Sequence, residues 1–250
     1  MHKSYLNIPS TILTLLLING CSLKPISIEG DKTFPLILAW GDPRPTVLIA
    51  HGCDGPKNIS YSNWAMEVNN WGYNGIVVDS FLVRGHKNLC YKGIIVPPTT
   101  RAEDFEEVAK WVKNQTWHKG GIAVIGFSHG ASTALNIANN KNNKNIDAVV
   151  SYYPYCGKQN GQDFIGQSIQ NPIIPAQVHL ADKDYWTPPY LCGKMEGYEV
   201  YHYTNATHGF DQPFKNRTIF GNYLAYDAEA HTTSLNRVKI FLNKTISIKE

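Results

Sequence analysis

The chain holds, in chain order, a serine, an aspartate and a histidine that together could activate a nucleophile toward a carbonyl. Ser128 lies in Gly126-Phe127-Ser128-His129-Gly130, directly after the apolar run Ile122-Ala123-Val124-Ile125 and before an alanine-rich stretch. Strand, sharp turn with serine at its tip, then helix is the G-x-S-x-G nucleophile elbow. Glycines flank the serine because a Cβ at either position would collide with the crossing strand and helix. A serine hydroxyl is a weak nucleophile at neutral pH and needs an adjacent base, itself held by a third group. His208, in Thr207-His208-Gly209-Phe210, is the candidate base: it follows the last predicted strand and comes after both serine and acid. For the acid, Leu180-Ala181-Asp182-Lys183-Asp184 offers two carboxylates. Asp184 is preferred because it begins the loop before Trp186-Thr187-Pro188. Asp182 is its competitor, with turn capping as the alternative role. Asp211 reads as a local loop group.

Acyl chemistry also needs two backbone N–H groups aimed where negative charge develops. His129, directly after the nucleophile, supplies one. The other is expected from His51-Gly52-Cys53-Asp54-Gly55, with the amide of Cys53 as the candidate. The His51 side chain reads as packed beneath this loop rather than as a base. The remaining histidines lack metal-ligand spacing around the cysteines, so neither a metal nor a cofactor is expected.

The elements that must position these groups alternate. Strands are predicted at 35–38 (an edge strand), 46–50, 75–79, 121–125, 146–151, 173–180 and 198–203. Helices are predicted at 63–71, 100–117, 129–139 and 231–242. Continuous apolar runs such as 46–50 suit strands buried on both faces of a parallel sheet. Alternation of this kind implies βαβ units with the chemistry beyond the carboxyl ends of the strands. Every candidate residue follows a predicted strand at that end. The fold class is α/β, with a mostly parallel sheet flanked by helices, in a single domain over residues 34–250. A length of 250 residues suits one such domain.

Several segments together resemble the dienelactone hydrolase family of the α/β-hydrolase fold. They are His51-Gly52-Cys53, Val78-Asp79-Ser80-Phe81 with Arg84-Gly85 and Cys90, Gly126 to Gly130, Tyr153-Pro154-Tyr155-Cys156, Asp184 to Pro188 with Cys192, His208-Gly209-Phe210, and Tyr226 to Ala230. The resemblance spans about residues 35–245 and implies Ser128, Asp184 and His208 as a triad acting on a small ester or lactone. It carries one departure: the enzymes that gave the family its name use a cysteine nucleophile, where this chain has Ser128, which favours ordinary ester chemistry. Arg84 and Trp186 are candidate substrate contacts. Arg84 could hold a carboxylate bidentately or serve instead as a loop-fixing salt bridge. A peptidase or amidase on the same triad is an alternative reading, as is a non-catalytic envelope lipoprotein that keeps the fold for binding.

The net charge of +3 is small and scattered, which argues against a nucleic-acid partner. Residues 1–20 read as a signal peptide, since the apolar stretch 12–18 is too short to span a bilayer. Ile18-Asn19-Gly20-Cys21 resembles a bacterial lipobox, which makes Cys21 a lipidation candidate and residues 21–33 a polar tether. The expected partner is then a membrane, and the location the periplasmic side of the cell envelope, at the outer membrane. The alternative is a cytoplasmic protein with an apolar first strand. Four cysteines follow Cys21, an even number suited to disulfides in an exported protein. Their places after strands suggest Cys53–Cys90 and Cys156–Cys192, with four free thiols as the alternative.

Overall fold

Runs that are apolar at every position, such as 47–50 and 76–78, become strands buried on both faces. The computed structural model describes residues 22–28, 32–39, 42–91, 95–159, 162–163 and 171–248. In chain order the elements begin with β1 (Ser22–Ile28), β2 (Lys32–Ala39), β3 (Arg44–Ala50), α1 (Ile59–Asn70) and β4 (Asn74–Val78). Then come α2 (Pro98–Val112), β5 (His118–Phe127), α3 (His129–Asn139) and β6 (Ala148–Tyr152). Two short strands, β7 (Lys158–Gln159) and β8 (Gln162–Asp163), precede β9 (Ala176–Ala181) and β10 (Glu199–Tyr203). A second hairpin, β11 (Arg217–Ile219) and β12 (Asn222–Leu224), leads into α4 (Ala228–Ile246).

The main sheet runs β1-β2-β4-β3-β5-β6-β9-β10. The six strands from β4 to β10 are parallel, and β1 and β2 add antiparallel to one side. Successive side chains of a strand point to opposite faces. Val47, Ile49, Val77, Ala123 and Ile125 therefore enter one core, packed by Trp64 and Val68 of α1 and by Phe241 and Leu242 of α4. Leu48, Ala50, Ile76, Val78 and Val124 enter the other, packed by Phe105 and Val108 of α2 and by Ala134 and Ile137 of α3. After β3 the chain turns to α1 on one face, and after β5 it turns to α3 on the other. That reversal opens a crevice between the carboxyl ends of β3 and β5, where open α/β sheets bind ligands.

Three sequence expectations are corrected. Residues 22–28, expected in a tether, form β1, the sheet edge, paired with β2 from Ser22 opposite Leu38 to Ile28 opposite Lys32. Pro25 suggested a linker, but an edge strand tolerates a proline that cannot donate to the ladder. The strand expected at the edge, β2, therefore lies one position in. Helix α2 ends at Val112 rather than at 117, because β5 already starts at His118. Trp117 packs from the turn between them, its ring 5.7 Å from that of Trp111. Residues 1–20 and Cys21 lie outside the described residues. Among the described residues no helix is long and apolar enough to cross a membrane.

Candidate active site

Phe127 ends β5 and His129 begins α3, so Ser128 alone makes the turn between them. Its φ of 53° and ψ of −114° lie outside the regions that non-glycine residues ordinarily adopt. Such strain costs about 1–3 kcal/mol and persists only where neighbours enforce it. Here the Ser128 N–H donates to the Tyr152 carbonyl at 3.0 Å, and the Ser128 carbonyl accepts from the Ser132 N–H at 3.1 Å. A Cβ on Gly126 would stand 2.0 Å from the Gly130 carbonyl oxygen, and one on Gly130 would stand 2.0 Å from that of Ala50. Helix α3 can cross β5 and β3 this closely only because both positions are glycine.

The strands β9 and β10 deliver two more groups to the same place. His208 Nε2 lies 3.0 Å from Ser128 Oγ, and His208 Nδ1 lies 2.7 Å from Asp184 Oδ2. Asp184 is buried. Its Oδ1 accepts the N–H groups of Trp186 at 2.9 Å and Thr187 at 2.8 Å, and the Thr187 hydroxyl lies 2.7 Å from Oδ2. Burial opposes ionisation of Asp184, but the His208 charge and these hydrogen bonds outweigh it and hold its pKa below the ordinary carboxylate value. An ionised Asp184 accepts from Nδ1–H, which leaves Nε2 to accept the Ser128 proton. Sequence reasoning did not identify two supports of this arrangement. Tyr153, at a φ of 43°, packs its ring 4.6 Å from that of His208. Its hydroxyl donates at 2.6 Å to Asp211, which also accepts from Trp64 Nε1 at 2.8 Å. Asp211 is therefore more than a loop group: it is buried and ties the His208 loop to β6 and α1.

The loop after β3 is fixed as closely. The Gly52 N–H donates to the Tyr61 hydroxyl at 2.8 Å, and that hydroxyl donates to Asp54 at 2.7 Å. Asn58, which caps α1, donates to Asp54 at 2.9 Å and to Gln212 at 3.0 Å. Cys53 is bonded to Cys90, and Cys156 to Cys192, with Cα separations of 4.8 and 4.9 Å. The first bond pins the expected oxyanion loop to the segment after β4. His129, the residue after the nucleophile, accepts at Nδ1 from buried Arg101 at 2.9 Å. Burial, then the Arg101 charge, keeps the His129 ring neutral. Arg101 is itself pulled down to about 10 by burial and stays charged, a buried cation close beneath the turn. His51 is fully buried, with Nδ1 2.8 Å from the Gly52 carbonyl, as expected of a packed residue.

Two candidates sit elsewhere. Arg84 does not face the crevice: it forms a bidentate pair with Asp104 at 2.7 and 2.8 Å and donates to the Ser80 carbonyl at 2.7 Å. Asp104 already satisfies the guanidinium, so the substrate-contact reading is replaced by the salt-bridge one. Asp182 faces away from Ser128 and pairs with His202 at 2.6 Å. Trp186 does line the crevice, a cavity of about 610 Å³ that Ser128, His208, Cys53 and Tyr153 share. Among the described residues no cluster of histidine, cysteine and carboxylate groups could hold a metal ion.

The dienelactone hydrolase family model matches residues 41–246, which takes in every element from β3 to α4. The chain belongs to the dienelactone hydrolase family. That membership places it among hydrolases. No relative is found among curated proteins by sequence. Among solved structures, the carboxylesterase Cest-2923 from Lactobacillus plantarum is 13% identical with a TM-score of 0.66, covering 90% of this chain and 98% of its own. The dienelactone hydrolase-like promiscuous phosphotriesterase P91, from metagenomic libraries, is 18% identical with a TM-score of 0.65, covering 91% of this chain and 100% of its own. At such identities the likeness is one of fold, and it is the α/β-hydrolase fold. In this dienelactone hydrolase family member the cavity mouth is set by parts that sequence reasoning passed over: Tyr91, and Phe220 in the hairpin of β11 and β12. Gly221 between Arg217-Thr218-Ile219 and Asn222-Tyr223-Leu224 was the available signal for that hairpin.

Proposed function

We propose that Ser128, His208 and Asp184 act as a catalytic triad that hydrolyses a small carboxylic ester or lactone. The observation that carries this reading is the continuous relay from Ser128 Oγ through the His208 ring to Asp184 Oδ2, at 3.0 and 2.7 Å. In the first half-reaction His208 takes the Ser128 proton as Oγ bonds to the carbonyl carbon. The N–H groups of Cys53 and His129 then face the oxyanion, helped by the positive end of α3. As the tetrahedral species collapses, the C–O bond to the leaving alcohol breaks and His208 gives that oxygen its proton. Water, deprotonated by His208, then releases the acid and restores Ser128. Asp184 stays ionised and keeps the imidazole in the productive tautomer.

A panel of p-nitrophenyl esters, lactones and peptide anilides, run with the wild type and Ser128→Ala, tests the reading. Turnover of esters or lactones that vanishes in the variant is expected. Turnover confined to the anilides would replace it with an amidase, and none at all would leave the binding reading.

The placement in the cell is a second part of the proposal. Cys21 is read as the lipid-bearing first residue of the mature chain, and two disulfides suit an exported domain. Because β1 starts at Ser22, a lipid on Cys21 would hold the sheet edge against the membrane with no tether between. Mass spectrometry of the N-terminal peptide from membranes tests this. An unmodified Cys21, or an intact Met1, would refute it.

A further inference from the structure

Phe220 stands where a phenylalanine is disfavoured. It is the first of two residues joining β11 to β12, whose ladder ends with Ile219 opposite Asn222. Phe220 has a φ of 51° and Gly221 one of 79°. A two-residue turn positive at both positions favours Asn, Asp or Gly in the first, and a bulky side chain there is a strained outlier. Core burial does not compensate, since Phe220 remains 52% exposed. Its ring lines the cavity above Ser128 instead, and meets two other rings there edge to face: Tyr91 at 4.5 Å and Trp186 at 5.6 Å. Tyr91 is 75% exposed and follows Cys90, which is bonded to Cys53. Trp186 is tied to Asp184 through its N–H and rests 5.1 Å from the His208 ring. The three rings make an arc from the base round to the oxyanion loop.

We propose that this arc is an aryl-binding subsite on the leaving-group side, and that the substrate is an ester whose alcohol part carries an aromatic ring. The inference rests on the ester-hydrolase reading above. The leaving oxygen must come within hydrogen-bond reach of His208 Nε2 to receive its proton. Buried Tyr153 closes the inner side of that imidazole, and Trp186 is its outer neighbour. A departing alcohol therefore runs outward past Trp186 toward Phe220 and Tyr91. Aliphatic side chains would accept any apolar alcohol. Three edge-to-face rings, one of them held on strained backbone, single out a planar π-system, because aromatic pairs gain from geometry beyond buried area.

Benzyl acetate and cyclohexylmethyl acetate are similar in size and in leaving-group reactivity, and they differ in the ring. The wild type is expected to prefer benzyl acetate roughly tenfold in kcat/KM, the size of two aromatic contacts. Phe220→Leu keeps apolar bulk without the ring and should bring the ratio to about threefold or below. Phe220→Asn should lower the ratio in the same way while raising Tm by about 2 °C, since asparagine suits the turn. Tyr190→Ala, at an exposed tyrosine outside the arc, should leave the ratio unchanged. Equal rates on the two esters in the wild type would overturn the subsite and leave the hydrolase reading standing. An unchanged ratio in both Phe220 variants would also overturn it. No turnover of either ester, with no labelling of Ser128 by a fluorophosphonate, would overturn both.

Discussion

Replacing Asp184 with asparagine separates the role of charge from the role of shape, because the structure says which contacts the amide keeps. Its oxygen can take the place of Oδ1 and go on accepting the N–H groups of Trp186 and Thr187. Its NH₂ then takes the place of Oδ2, 2.7 Å from His208 Nδ1. Two N–H donors cannot face each other there, so the imidazole moves its proton to Nε2. Nε2–H then points at Ser128 Oγ, 3.0 Å away, and cannot accept the serine proton. The Thr187 hydroxyl can accept from the new NH₂ and donate to the Tyr153 carbonyl at 3.0 Å, so no buried group is left unpaired. The fold should therefore survive while kcat falls about 10³–10⁴-fold, or roughly 4–5.5 kcal/mol of transition-state stabilisation at 1.36 kcal/mol per decade. KM should change little, since Asp184 touches no substrate. Steady-state kinetics on p-nitrophenyl acetate, with thermal melts as the fold control, read both quantities. Asp182→Asn, whose carboxylate faces His202, should stay within about tenfold of the wild type. A loss under tenfold for Asp184→Asn, or a larger loss for Asp182→Asn, would refute the assignment.

Acid should destabilise the protein through histidines buried in their neutral form. Burial holds the pKa values of His51, His129 and His179 down, the last to about 3. The unfolded chain gains protons below about pH 6.5 while these three do not. Stability is thus full above that range and declines as pH falls, by about 1.4 kcal/mol per pH unit for each histidine. Urea midpoints that do not drop between pH 7.5 and 5 would contradict this. Reducing both disulfides, which span sequence separations of 37 and 36 residues, should cost about 3–4 kcal/mol each in the chain-entropy account. The unreduced, denatured protein should show none of these four thiols in titration. Arg84→Met should cost about 3 kcal/mol by removing the bidentate partner of buried Asp104 and leave KM for a small ester unchanged; a KM rise of tenfold or more would return Arg84 to the substrate site.

The catalytic end was legible in the sequence because its signals are local. Gly126 and Gly130 mark the two places where α3 crosses β5 and β3 too closely for a side chain, and Val47 to Ala50 is apolar along its length because both faces of β3 are covered. Position after a strand was enough to favour Asp184 over Asp182, since the loop register after β9 decides which carboxylate turns inward. What stayed hidden depends on contacts distant in sequence. Strand β1 carries a proline and polar residues that resemble a linker, and its pairing with β2 is what makes it a strand. Arg84 could be read as a carboxylate binder or as a loop-fixing salt bridge, and what stayed hidden was the partner, Asp104, 20 positions on. Asp211 read as a local loop group because its partners Trp64 and Tyr153 come from α1 and the end of β6, far away in sequence. The three-residue strands around Phe220 are too short for periodicity to register.

The central claim is that His208 activates Ser128 as a nucleophile. Its most direct test is fluorophosphonate labelling of the folded wild-type protein at pH 7.5, with peptide mass spectrometry to locate the adduct. The account predicts one stoichiometric adduct on Ser128, absent in Ser128→Ala and slowed at least 10³-fold in His208→Ala. A wild-type protein that stays unlabelled between pH 6 and 9, or that carries its adduct on another residue, would contradict it.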